Sequence, residues 1–269
     1  MISSMSGQTP DNIHLELVDT HAHVSFPQFD HDRDRIKAQL ESGELSMLIE
    51  VGTTVEDSLR AMEVFKGVKN VLLSVGVHPH ESDGLDDRGL ETLKSLLKDR
   101  QVVAVGEIGL DFYRDLSPRE VQKSVFLKQL EIAFSFSLPV VVHVRDAYEE
   151  VYEILRRFKG LKGVIHAFSG GPAMAGRFLE LGYYLGIGGP ITYRKNDGLR
   201  EIVRLTPIEK LISETDCPYL PPVPFRGKRN EPLYVRYVVE EIARQKEMDI
   251  YTCSKQLMYN AKELFTPDL

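Results

Sequence analysis

Eight short apolar runs, most of them followed by a longer segment with helical periodicity, constrain this chain more than any single motif does. The runs are LELVDT from residue 15, SMLIEVGT from 46, NVLLSVGV from 70, QVVAVGEIGL from 101, LPVVVHV from 138, GVIHAF from 163, GYYLGIGG from 182 and KLISETD from 210. Between them lie amphipathic segments such as DRIKAQLES, SLRAMEVFKG, LETLKSLLKD, VQKSVFLKQLEIAFSF, VYEILRRFKG, MAGRFLELG and LREIVRL, and VRYVVEEIARQKE and CSKQLMYNAKELF follow the last run. Strands that are apolar throughout suit a parallel sheet covered on both faces. About eight βα units in a chain of 269 residues predict an α/β fold, a closed (β/α)8 TIM barrel forming a single domain. The open doubly wound sheet usually carries a glycine-rich dinucleotide turn after its first strand, and DTHAH stands there instead. No linker, low-complexity tract or charge block divides the chain, so the barrel is expected over residues 15–269, after a loose tail over residues 1–14.

No apolar run approaches the roughly 20 residues of a membrane span, and the opening MISSMSGQTPDN lacks the basic region and apolar core of a secretory signal. Cys217 and Cys253 have no paired spacing, which fits a reducing compartment and neither a disulfide framework nor a zinc knuckle. A cytoplasmic protein without membrane contact is the expectation. The net charge of −7 argues against a broad footprint on duplex nucleic acid, which needs a basic face to displace counterions. A small site that reaches a few phosphates through metal ions is compatible with it.

In such a barrel the chemistry lies at the C-terminal ends of the strands. There the sequence places His21 and His23, His78 and His80, Glu107 and Asp111, His143 and Arg145, His166, and Asp216. His14 falls in the tail and His31 in the loop before the first helix. Residues i and i+2 of a strand share a face, so His21 and His23 can converge as a chelating pair, or each can be satisfied by backbone hydrogen bonds. Glu107 follows an apolar run in which a carboxylate is costly unless a metal or a cation pairs with it; a structural salt bridge would do the same. His143 and His166 are ligands or satisfied core residues, and Asp216 is a ligand and proton acceptor or a turn former ahead of Pro218. Imidazole and carboxylate donors without paired cysteines favour zinc, manganese, iron or magnesium. The set is large enough for two divalent ions sharing a bridge, an arrangement suited to hydrolysis.

These residues resemble the TatD family of metal-dependent deoxyribonucleases, among the metal-dependent hydrolase barrels. The likeness runs through DTHAH at 19, GVHPH at 76, GEIGLDFYRD at 106, PVVVHVRDA at 139, HAFSGG at 166, YRKNDGLREIV at 193 and ETDCPYLPPVPFRGKRNEP at 214. It implies that His21, His23, Glu107 and Asp216 hold one metal, that Glu107, His143 and His166 hold the other, and that Glu107 bridges. It further implies that His80, Arg114 and Arg145 hold substrate phosphate and that residues 226–232 belong to the rim, although Arg226, Lys228 and Arg229 also read as a solvated cluster tied to Glu231. Ala167 and Cys217 stand where the family pattern has Cys and Ala, and Cys217 beside Asp216 could perturb metal preference.

The activity implied is hydrolysis of DNA phosphodiester bonds as a 3′–5′ exonuclease, on single strands or strand ends, with water activated by two metals and Asp216 taking its proton. No obligate protein partner is implied. Two rivals remain. One is an amidohydrolase or phosphotriesterase-like hydrolase of a small molecule, disfavoured because those barrels often bridge their metals with a modified lysine, and no lysine lies in the fourth or fifth run. The other is a non-catalytic metal-binding barrel, disfavoured because structural zinc sites are usually closed by four protein ligands.

Overall fold

The structure, a computed structural model, describes residues 15–266. The strands are β1 (Val18–Ala22), β2 (Met47–Val51), β3 (Val71–Val75), β4 (Val102–Asp111), β5 (Val140–Arg145), β6 (Gly163–Ile165), β7 (Tyr184–Ile187) and β8 (Leu211–Ser213), each starting inside one of the eight apolar runs, with β1, β4 and β5 running one or two residues past theirs. The helices are α1 (Arg33–Glu41), α2 (Val55–Val64), α3 (Asp87–Leu96), α4 (Arg119–Phe136), α5 (Tyr148–Leu155), α6 (Gly171–Glu180), α7 (Asp197–Leu205), α8 (Val235–Gln245) and α9 (Ile250–Phe265). Local chemistry marks several helix starts: the side chains of Thr54, Asp86 and Asp249 accept the N–H of Asp57, Gly89 and Thr252, satisfying donors that have no partner in the first turn. The expected tail over residues 1–14 lies outside the described residues.

All strands pair in parallel in the order β1-β2-β3-β4-β5-β6-β7-β8. The ring closes between β8 and β1 largely through side chains. The Ser213 hydroxyl donates to Val18 O at 2.9 Å, the Thr20 hydroxyl donates to Ser213 O at 3.2 Å, and Asp19 accepts the N–H of Thr215 at 2.8 Å. Just beyond the strand ends the main chains join, with Asp216 N donating to His21 O and His23 N to Cys217 O. The fold is the (β/α)8 barrel that the alternation of runs predicts.

Two apolar layers hold it. The larger packs the helices on the outer face of the sheet, with Phe29, Phe65, Phe126, Phe168 and Phe178 fully buried. The smaller gathers Ile49, Val51, Val103, Val141, Val164, Tyr184 and Ile212 from β2, β4, β5, β6, β7 and β8. Side chains from that many strands meet only inside the ring, where Leu264 and Phe265 of α9 pack against them.

One expectation needs correction. Glu107 does not follow its strand; it lies within β4, which runs on to Asp111. Pairing with β3 ends at Val105, while pairing with β5 continues through Asp111↔Arg145 after a register shift between Val105 and Ile108. The second half of β4 therefore pairs as a strand with β5 alone, while Glu107 N donates to Gly52 O beyond β2, and it carries Glu107 into the mouth. Gly109 permits this close approach: its φ is +145°, and a Cβ there would collide with the carbonyl oxygen of His143.

Candidate metal centre

The strand ends bring six of the predicted residues to one point. Nε2 of His21 lies 3.2 Å from Nε2 of His23, 3.3 Å from Oε2 of Glu107 and 3.9 Å from Oδ1 of Asp216. Nε2 of His23 lies 4.0 Å from the same glutamate oxygen and 3.5 Å from the same aspartate oxygen. Four donors around a cation at about 2.0–2.2 Å define tetrahedral edges of about 3.3–3.6 Å, so the spacing fits a divalent ion. The other glutamate oxygen, Oε1, faces a second group: His143 Nδ1 at 2.9 Å, His166 Nε2 at 3.3 Å and His78 Nε2 at 3.6 Å. Glu107 thus turns one oxygen to each of two imidazole clusters.

Hydrogen bonds on the far side of each ring fix which nitrogen is free to act as a donor to metal. His23 Nδ1 lies 2.7 Å from Val51 O, His143 Nε2 lies 3.1 Å from Asp111 Oδ2, and His166 Nδ1 lies 3.1 Å from Glu214 Oε1. In a neutral ring each far nitrogen then carries the proton, leaving a lone pair aimed at Glu107 and its neighbours. His78 is wired the opposite way. Its Nδ1 accepts the N–H of His80 at 3.1 Å, so in the neutral ring Nε2 holds the proton and points it at Glu107. His78 therefore acts as a donor toward the carboxylate rather than as a ligand through that nitrogen. Among the described residues, Nδ1 of His21 and Oε2 of Glu214 are buried without a hydrogen-bond partner.

The electrostatics favour bound positive charge. Burial would push the Glu107 carboxyl up, but the imidazoles of His78, His166 and His21 and the bond from His143 outweigh it and hold the group well below its ordinary range. Burial pushes His166 down, yet the carboxylates of Glu214 and Glu107 raise it well above the ordinary imidazole value. The same pocket stabilises a proton or a metal cation. His78, by contrast, is driven well below its ordinary value, chiefly by burial. Among the described residues three groups of donors lie close enough to hold an ion: His21, His23 and Glu107; His78, Glu107 and His143; and His21, His166 and Glu214.

Asp216 and Ala167 both have left-handed backbones, φ +58° and +44°, a conformation uncommon for non-glycine residues and concentrated at functional sites. Their N–H groups are taken by His21 O and by Glu214 Oε1. Cys217 does not reach the centre: it is fully buried in the outer apolar layer, burial pushes its thiol well up, and no cysteine occurs in any of the three donor groups.

The residues expected at phosphate are dispersed. His80 is tied to Asp111 Oδ2 at 2.8 Å, Arg114 is exposed with its backbone N–H on Asp111 Oδ1, and the Arg145 guanidinium sits over the Tyr113 ring, 3.9 Å from its centroid. Arg229 is tied to Glu231 and, at 2.6 Å, to Asp32, while resting on the Phe29 ring; Arg226 covers Tyr193. Asp111, named at its strand end but given no role, orients His143; motif reading passed over Glu214, which orients His166, and Glu50, which accepts the N–H groups of Val24 and Ser25 beside His23. Each is an acidic residue in or next to an apolar run, the same signal that singled out Glu107.

A barrel with imidazole and carboxylate donors gathered at its strand ends defines a metal-dependent hydrolase. A model of the TatD related DNase family matches residues 18–266, and the chain belongs to that family. It is 38% identical over 251 residues to the uncharacterized metal-dependent hydrolase YabD of Bacillus subtilis, covering 93% of this chain and 98% of that protein. It is 32% identical over 256 residues to the 3′-5′ ssDNA/RNA exonuclease TatD of Cronobacter sakazakii, covering 93% and 97%. The crystal structure of YJJV, a TatD homolog from Escherichia coli K12, matches with a TM-score of 0.87 at 31% identity, covering 94% of this chain and 99% of that one. Among the described residues no helix is long and apolar enough to cross a membrane.

Proposed function

We propose that the protein hydrolyses phosphodiester bonds of DNA, removing nucleotides from the 3′ end of single strands with two divalent ions, of zinc, manganese, magnesium or iron. The observation that carries the reading is Glu107, whose two oxygens face separate imidazole clusters. His21, His23, Glu107 and Asp216 would hold one ion, and Glu107, His143 and His166 the other. Such a pair supplies a nucleophile near neutral pH and neutralises charge growing on the phosphoryl oxygens.

The chain's own groups do the rest. Glu107 and Asp216 are held ionised: the imidazoles around each outweigh the burial that opposes ionisation. The Asp216 side chain is 15% exposed against 4% for Glu107, so it is the carboxylate placed to take a proton from water entering the mouth. Asp111 and Glu214 keep the rings of His143 and His166 in register. His80, Arg114 and Arg145 would supply the contacts to an incoming phosphate. Polarity and strand preference follow the name of the Cronobacter relative. The free, buried Cys217 and Cys253 suit work in the cytoplasm.

The test is incubation of metal-loaded protein with a 5′-labelled single-stranded oligonucleotide, with and without EDTA. A metal-dependent ladder shortening from the 3′ end is expected. An intact oligonucleotide under manganese, magnesium and zinc would reject the reading in favour of a small-molecule hydrolase.

A further inference from the structure

We propose that Tyr113 and Tyr219 are base-stacking platforms on opposite walls of the mouth, each holding a nucleobase of the strand whose phosphate enters the metal centre. The inference rests on the nuclease reading and names what that reading leaves open, the part of the substrate that gives affinity.

Tyr113 follows β4 and Tyr219 follows β8, strands on opposite sides of an eight-stranded ring. Tyr113 is 60% exposed and Tyr219 49%, yet both are anchored to the site. The N–H of Tyr113 donates to Asp111 Oδ1 at 3.0 Å, and the other oxygen of that carboxylate meets His143. The N–H of Tyr219 donates to Asp216 O at 2.8 Å, its carbonyl accepts the Asn230 amide at 2.7 Å, and its ring lies 6.4 Å from that of His23. Behind Tyr113 the Arg145 guanidinium covers one face of the ring, a cation placed to strengthen the stack. Isolated exposed apolar residues are ordinary, and Leu59, Phe134, Leu205, Tyr251 and Tyr259 on the outer helices are of that kind. These two tyrosines differ in flanking the metal centre with their backbones bound to it.

Charge points the same way. At a net −7 the protein has little capacity for a long row of phosphate contacts. Stacking supplies affinity without cations, tolerates any sequence, and requires bases free of a duplex.

The test uses the full-length, metal-loaded protein and a phosphorothioate-linked single strand with 2-aminopurine at its last two 3′ positions. Binding should quench the emission. Tyr113→Ala and Tyr219→Ala should each relieve the quenching and weaken binding roughly tenfold, while Tyr113→Phe and Tyr219→Phe retain both. In turnover, the ratio of kcat/KM for an ordinary strand to that for one abasic at those positions should fall roughly tenfold in each alanine variant. An unquenched wild-type complex, or a ratio indifferent to both substitutions, overturns the platforms. Quenching relieved by the substitutions in a protein that cleaves no DNA supports them while rejecting the nuclease reading.

Discussion

Glu214 grips His166 from behind: Oε1 of the carboxylate lies 3.1 Å from Nδ1 of the ring, at the base of the pocket where both are buried. The charge of that carboxylate, more than its bulk, sets which face of the ring carries the lone pair. Glu214→Gln keeps the volume and presents an amide to the same nitrogen. Metal affinity at this ring is expected to fall roughly ten- to hundredfold, read by isothermal titration with zinc or manganese. An unchanged affinity would separate Glu214 from the centre.

Glu107 is the only carboxylate whose two oxygens serve both imidazole clusters among the described residues. Glu107→Ala is expected to abolish loading with a pair of ions. Metal content after gel filtration measures it, and a variant that still carries two ions per chain would refute the bridging role.

Gly109 is where β4 and β5 approach most closely beside His143. Gly109→Ala should destabilise the fold by on the order of 2–3 kcal/mol, because the alanine Cβ meets a carbonyl and φ +145° is strained for any side chain. It should also displace His143, so loss of metal ought to accompany the loss of stability in urea denaturation. A variant as stable as the parent would show that the strands yield there at no cost.

Arg229 clamps the loop after β8 to the start of α1 through Asp32. Hydrogen bonds from Arg229, then those from Arg35, outweigh desolvation and hold the Asp32 carboxyl well below the ordinary aspartate range. A carboxylate depressed on folding adds stability that is fully present above its unfolded pKa of about 3.9 and is lost as pH falls toward its lower folded value. Arg229→Ala should therefore cost roughly 1–2 kcal/mol at pH 7, where the clamp is intact. The gap between variant and parent should narrow once the pH drops below the unfolded value. Parallel denaturation curves at pH 7 and pH 3 decide it; a gap that does not change between them assigns the loss to packing on Phe29 alone.

The fold was legible because all eight strands start inside apolar runs with almost no interior alternation, and VVAVGEIGLD is buried at every position while VVVHVR is exposed only at its end. His21 and His23 were legible from two-residue spacing at the end of such a run. The extent of β4 was legible only in part: the run QVVAVGEIGL reaches Leu110, yet Glu107 reads as following the strand, whereas pairing with β5 carries the strand past it to Asp111. Asp111 and Glu214 went unassigned because their roles depend on rings that are 32 and 48 residues away in sequence. The Arg229 clamp spans 197 residues, and nothing local distinguishes RGKR from a solvated basic loop.

The seam between β1 and β8 has a consequence for how the protein is made. It joins groups 193 to 196 residues apart, and on the far side of that gap stand Glu214 and Asp216. A polypeptide still emerging from the ribosome possesses His21 and His23 early, yet acquires Glu214 and Asp216 only after the first seven strands have been made. A chain aborted before its eighth strand therefore lacks both the seam and the two carboxylates beside it.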